Sequence, residues 1–119
     1  MDDEIQKAIE SDRLIDITTI GRKSGKPHRI EIQFHYHDPH IYISGLPGTR
    51  DWYSNLLANP EFRFHLKQSI RADLPARAVP ITEESARRDI LKPIVARWRR
   101  EDKLEVFVER SPLVEVFLN

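Results

Sequence analysis

The chain has 119 residues, and its 19 Lys+Arg balance its 19 Asp+Glu, so the formal net charge is zero with the five His neutral. That balance excludes a bulk electrostatic nucleic-acid binder, and the lack of any cysteine excludes disulfide scaffolds, thiolate zinc sites and cysteine nucleophiles. No apolar run approaches the roughly 18 residues of a spanning helix, and the start Met1-Asp2-Asp3-Glu4 is acidic where a secretory signal is basic, so one cytoplasmic domain over residues 1–119 is expected.

Residues 2–11 carry acids in a first turn and Ile5, Ala8 and Ile9 at helical spacing, which predicts a short amphipathic helix. The β-branched density of residues 14–20 predicts a strand. Gly21-Arg22-Lys23-Ser24-Gly25-Lys26-Pro27 then punctuates the chain with two glycines and a proline and reads as the charged tip of a hairpin. In residues 28–36, Ile30, Ile32, Phe34 and Tyr36 alternate with Arg29, Glu31, Gln33 and His35, as one continuous half-buried strand requires. His37-Asp38-Pro39-His40 predicts a turn and residues 41–44 a third strand, giving a meander of three consecutive strands.

An irregular loop over residues 45–49 precedes a brief helix carrying Trp52, Tyr53, Leu56 and Leu57, with Thr49 or Asp51 as its cap and Asn59-Pro60 as its end. Two extended segments follow, over residues 62–67 and 70–81. Thr82 opens a helix with Glu83 and Glu84 in its first turn and a buried stripe of Ala86, Ile90, Leu91, Ile94, Val95 and Trp98. Pro93 is expected to kink or split that helix, and Arg87 and Arg88 to lie on its wet face. Residues 101–111 fit both helical and strand periods; the helix, ended by Pro112, is favoured, and residues 113–118 form the closing strand. About six mainly antiparallel strands with inserted helices, and no strand–helix–strand alternation, indicate an α+β domain built on an antiparallel barrel.

Two segments stand out: Thr18-Thr19-Ile20-Gly21-Arg22-Lys23-Ser24-Gly25-Lys26-Pro27-His28-Arg29, and Asp51-Trp52-Tyr53-Ser54-Asn55-Leu56-Leu57-Ala58-Asn59-Pro60. In this order and spacing they resemble the deazaflavin-dependent nitroreductase family, across residues 14–67 and more loosely through residues 111–116. The resemblance implies a split β-barrel of the FMN-binding kind. It also implies coenzyme F-420, an 8-hydroxy-5-deazaflavin, as cofactor, and hydride transfer from it to a small organic acceptor such as a quinone, nitroaromatic or activated enone. The alternatives are a split-barrel reductase that takes FMN, and a cofactor-binding barrel without catalysis.

The coenzyme ends in a phosphodiester and a polyglutamate tail, so its site needs fixed positive charge and backbone N–H donors. Arg22, Lys23, Lys26 and Arg29 flank a glycine-bearing tip whose amides can face an anion, and arginine donates in a fork matched to phosphate oxygens. By family position Lys23 and Arg29 resemble the phosphate-contacting pair, with Ser24 a hydroxyl donor beside them. A solvated hairpin tip is the competing reading of the same residues. The small residues around Ser44, Gly45 and Leu46 let a planar ring approach the backbone, and the next helix offers free N–H groups at its start. Arg50 can neutralise phosphate or the glutamyl tail, or lie in water. Trp52 and Tyr53 can cover a ring or anchor the helix, with Trp52 favoured as core; Asn55 can bond the cofactor or cap the loop. Hydride transfer needs no protein nucleophile, so no catalytic residue is assigned.

The chain departs from the family in two places. The loop between Ser44 and Trp52 is short and has no lysine directly after the serine, and residues 97–108 have no tyrosine where relatives line the acceptor pocket with them, so acceptor specificity does not transfer. His28, His35, His37 and His40 are dense but lack a carboxylate–histidine helical motif, so no metal is expected. The arginines at 87–88 and 97–100, with Phe62 and Phe64, would be the face for nucleic acid, but the phenylalanines fit a core better and no nucleic-acid partner is expected. A homodimer would give so short a chain more core, and Ile5 and Ile9 give only a small stripe for peripheral membrane contact.

Overall fold

A computed structural model describes residues 2–119. Helix α1 (Asp3–Ser11) starts where the Asp2 carboxylate accepts the N–H groups of Glu4 and Ile5 at 2.7 and 3.3 Å, and it buries Ala8 and Ile9. Strands β1 (Leu14–Ile20) and β2 (Pro27–Gln33) form the hairpin with the basic tip, in the register Thr19 opposite His28 and Ile17 opposite Ile30. Strands β3 (His35–His37) and β4 (His40–Ser44) form a second hairpin. Helix α2 (Asp51–Ala58) is followed by β5 (Glu61–Leu66) and β6 (Ala72–Pro80), then α3 (Glu84–Arg97), α4 (Leu104–Arg110) and β7 (Leu113–Leu118).

All pairings are antiparallel, and the sheet runs β2-β1-β5-β6-β7-β4-β3. Its two edge strands are consecutive in the chain and are separated by Phe34 alone. The sheet must therefore curl until its edges meet, which produces an antiparallel half-barrel with Ile15, Ile17, Ile43, Phe62, Phe64 and Val114 inside. A second apolar layer, Leu91, Ile94, Val95, Phe107 and Val108 from α3 and α4, packs on Tyr42 and Leu113.

Four sequence expectations change. The continuous strand over residues 28–36 breaks at Phe34, so the strands number seven and the meander becomes two hairpins at opposite sheet edges. At Phe34 the chain leaves one sheet edge for the other: the Phe34 N–H donates to the Arg13 carbonyl before β1 at 2.9 Å, and the next three residues pair with β4. Phe34 meets Phe64 edge-on inside the barrel at 5.5 Å, while His35 meets Trp98 of the helical layer at 5.4 Å. Neither Thr49 nor Asp51 caps α2; Arg50 holds the cap position and makes no side-chain bond there. Helix α3 is not split at the exposed Pro93, and Glu83 caps it by accepting the Ala86 N–H at 2.6 Å.

Arg87 does not lie in water. It is 8% exposed, and its Nε donates to the Val108 carbonyl at 2.6 Å and Nη1 to that of Ile81 at 2.8 Å. Its Nη2 donates to the Phe107 and Ser111 carbonyls at 3.3 and 2.6 Å. Two of these acceptors lie in the last turn of α4, where the helix dipole also favours a cation, and the Val108 carbonyl has no helical donor because residue 112 is proline. Burial holds the guanidinium below the usual arginine range.

Candidate functional site

A cleft of about 490 Å³ opens between the β1–β2 turn and α2. The turn is closed by the Gly21 N–H donating to the Lys26 carbonyl at 2.8 Å and the Gly25 N–H donating to that of Gly21 at 2.9 Å, with Gly25 at φ 69°. A left-handed residue there explains the second glycine. The first glycine has a different cause: a Cβ on Gly21 would lie 2.5 Å from Ser24 Oγ and 2.7 Å from His28 Nε2. These two side chains fold over the Gly21 backbone and make a polar cradle, in which Ser24 Oγ also accepts the Lys26 N–H at 3.1 Å.

Asn55 moors this turn to α2. Its Oδ1 accepts the backbone N–H of Arg22 at 3.1 Å and Arg22 Nη1 at 2.9 Å, and its Nδ2 donates to Thr19 Oγ1 at 3.2 Å. Arg22 Nη2 also reaches Asp51 Oδ1 at 3.4 Å. The forked donors of Arg22 are thus committed to α2, whereas Lys23 is exposed at the mouth and forms no ion pair among the described residues. Trp52, 7% exposed, belongs to the barrel core and shows one side to the cleft; Ile30, 38% exposed, faces it from β2.

Of the residues singled out in the sequence, Arg22, Lys23, Ser24, Trp52 and Asn55 surround this cleft. Lys26 is exposed on the turn beside them. Arg29 points to the other face of the hairpin, where its Nε donates to Asp16 Oδ2 at 3.0 Å. Lys67 reaches the same carboxylate at 2.7 Å and also pairs with Glu31; together Lys67 and Arg29 hold Asp16 below the usual carboxylate range. Ser44, Gly45 and Leu46 line a separate cleft of about 390 Å³ with Gln33, Trp98 and Arg100. Ser44 Oγ there is buried and donates to the Pro112 carbonyl at 2.6 Å. Arg50 and Tyr53 line a third cavity, on another side of α2.

Sequence reasoning did not single out Gly21, Thr19, His28 and Ile30 as site residues, yet all four line the first cleft. A signal was present for three of them. In a β-hairpin whose tip spans residues 21–26, Thr19 faces His28 and the pair shares a face with Ile30, so the polar cluster and its apolar wall follow from the register. Among the described residues no group of three or more His, Cys, Asp or Glu is placed to hold a metal, and no helix is long and apolar enough to cross a membrane.

The model of the F420H(2)-dependent quinone reductase family matches residues 2–114. No curated protein sequence matches the chain. Among solved structures, the chain is similar to a candidate pyridoxamine 5'-phosphate oxidase from Listeria innocua, at 15% identity and TM-score 0.76 over 98% of this chain and 92% of that one. It is similar to an FAD-binding protein from Mesorhizobium loti, at 15% identity and TM-score 0.69 over 100% and 90% of the two chains. It is also similar to an F420-H2 dependent reductase, FDR-A, at 22% identity and TM-score 0.63 over 91% and 95%. These likenesses show the split-barrel fold. The family match reaches well beyond residues 14–67 and takes in α1, α3 and α4. The chain therefore belongs to the F420H(2)-dependent quinone reductase family, oxidoreductases that use the reduced deazaflavin coenzyme F-420.

Proposed function

We propose that the chain reduces a quinone-class acceptor, with the phosphodiester of the coenzyme seated in the cleft between the β1–β2 turn and α2. The observation that carries this reading is the cradle over Gly21. A backbone kept bare by glycine, a hydroxyl, an imidazole and the unpaired Lys23 ammonium converge there, and that donor set fits an oxyanion. Lys23 supplies charge, Ser24 and His28 supply directional donors, and Asn55 fixes the turn through Arg22 and Thr19 so that little ordering remains when the ligand arrives. Ile30 and Trp52 form an apolar wall that displaces water beside the polar cradle.

When bound, the reduced deazaflavin supplies the hydride. The protein's part is to orient the ring and the acceptor and to exclude water. Gly45, Leu46 and Trp98 border the cleft that suits a flat apolar acceptor, with Leu46 and the indole as its walls and Arg100 at its rim. Gln33 and Arg100 add polar groups beside these walls, which suits a flat ring bearing carbonyl oxygens.

Equilibrium titration of coenzyme F-420 and of FMN into the protein, at low and high salt, tests this reading. F-420 is expected to bind more tightly than FMN, with a salt dependence that reflects its tail. Lys23→Glu should weaken F-420 roughly tenfold or more, and Arg29→Glu much less, because Arg29 is already engaged by Asp16. Unchanged uptake by a folded Lys23→Glu variant would overturn the assignment. Turnover with a water-soluble quinone then separates a reductase from a carrier.

A further inference from the structure

We propose that the cavity of about 580 Å³ on the other side of α2 is a second anion-binding site, built for a carboxylate or phosphate group. Helix α2 presents Asp51, Trp52 and Asn55 to the coenzyme cleft and Tyr53, Ser54 and Leu57 to this cavity, so the two sites share a helix and no side chain of it.

Three arginines, Arg50, Arg87 and Arg110, line the cavity against one carboxylate, Glu109. Glu109 stands 3.9 Å from Arg110, and both are well exposed. Arg50 and Arg87 have no carboxylate partner among the described residues and bond only to carbonyl oxygens. Arg50 Nη1 donates to Thr49 at 2.7 Å and Nη2 to Leu46 at 3.1 Å. This guanidinium folds back onto its own loop beside Gly48, at φ 124°; a Cβ there would stand 3.3 Å from Arg50 Nη1. Carbonyl dipoles leave a full positive charge uncompensated; Arg87 is buried, where a charge ordinarily finds a counter-charge, and Arg50 is half-buried.

Donors are also left over. A guanidinium has five N–H groups. The bonds of Arg87, one from Nε, one from Nη1 and two from Nη2, leave an N–H on Nη1. Two of the five donors of Arg50 are used. Ser111, 5% exposed, lines the same cavity, and its Oγ is buried beneath the lining with no hydrogen-bond partner. The first turn of α2 has no side-chain cap. Two guanidinium groups without a carboxylate partner and an uncapped helix start around one cavity, with an orphan hydroxyl just beneath it, are a donor-rich, acceptor-poor lining that an oxyanion completes. The role of Arg87 at the end of α4 explains its own burial but not Arg50, Gly48 or Ser111.

The anion has two possible sources: a free phosphate or carboxylate metabolite, or the glutamyl tail of the coenzyme. NMR of the full chain, following the Nε–H signals of Arg50 and Arg87 and the amides of residues 51–53, distinguishes them by titration with inorganic phosphate and with γ-glutamylglutamate. At least one probe should give saturable shifts in the wild type and in Lys23→Glu. Arg50→Gln should weaken that binding roughly tenfold, the effect of a lost charge-assisted pair, and Ser111→Ala by a smaller factor. Tighter phosphate binding points to a free phosphoryl ligand and tighter dipeptide binding to the tail; either supports the site. Absence of saturable shifts with both probes in the folded wild type would overturn it. So would shifts that vanish in Lys23→Glu and persist in Arg50→Gln, which would place the anion in the coenzyme cleft. Coenzyme uptake is read separately, so failure of one assignment leaves the other standing.

Discussion

Asn55 Oδ1 accepts both the backbone N–H and the guanidinium of Arg22, at 3.1 and 2.9 Å, and thereby locks the basic turn onto α2. Asn55 is 4% exposed, so truncation strands the Arg22 N–H and the Thr19 hydroxyl in a poorly hydrated place. Asn55→Ala should cost about 2–3 kcal/mol in urea unfolding. Coenzyme affinity should fall as well, because the turn loses its preset shape. Asn55→Asp retains both acceptor contacts, adds a charge opposite Arg22, and should restore most of the stability.

Gly21 gives a cleaner division between folding and binding. The atoms a Cβ would meet, Ser24 Oγ and His28 Nε2, are the ends of side chains that can rotate aside. Gly21→Ala should therefore leave the melting temperature nearly unchanged while weakening coenzyme binding roughly tenfold, since the displaced hydroxyl and imidazole are the proposed donors. A large loss of thermal stability with intact binding would contradict this account.

Arg87→Met removes a buried cation that satisfies four carbonyl bonds. The methionine fills the volume but leaves the Val108, Ile81 and Ser111 carbonyls without the donors that Arg87 supplies. Chemical denaturation should show a loss of about 3 kcal/mol, larger than for Arg88→Met, whose guanidinium sits on the surface against Glu84 and Glu105.

His35 is 2% exposed, both ring nitrogens lack partners, and its pKa is lowered to about 3, chiefly by burial and then by the charges of Arg97, His37 and Arg13. Between about pH 6.5 and pH 3 the unfolded chain binds a proton there that the folded chain refuses, so stability falls as the pH drops through that window, at up to about 1.4 kcal/mol per unit. His35→Phe keeps the edge contact with Trp98 and should flatten that part of the acid-unfolding profile. The slopes due to Asp16, Asp73 and Glu105, whose carboxyls are held low chiefly by side-chain hydrogen bonds from Lys67, His65 and Arg88, should remain.

Much of this architecture was legible in the residues. The β-branched run at residues 14–20, the acids and apolar spacing of α1, the Asn59-Pro60 stop and the closing strand all lie where periodicity and capping put them. The break at Phe34 was not legible, because alternation in residues 28–36 continues past the point where the chain leaves one sheet edge for the other. Burial of consecutive side chains on two different cores is a tertiary fact with no local signature. Arg87 departs from its expected place for a related reason: helical spacing marks a polar position, but the carbonyls that receive it come from α4, from Ser111 just after it and from Ile81. At the site, the glycine turn and the Trp52–Asn55 helix could be read directly. The division of the candidates among three cavities depends on which side of α2 and of β2 each residue faces, and therefore on the curl of the whole sheet.

That the outermost strands adjoin through one residue has an evolutionary corollary. Extra length at the Ser24-Gly25 bend can remodel ligand grip while the wall behind it stays intact. A residue inserted at Phe34 would instead rotate the short third strand by half a pleat and exchange the neighbours of His35 and Tyr36. Variation in homologous chains should accumulate at the bend and be scarce at the seam.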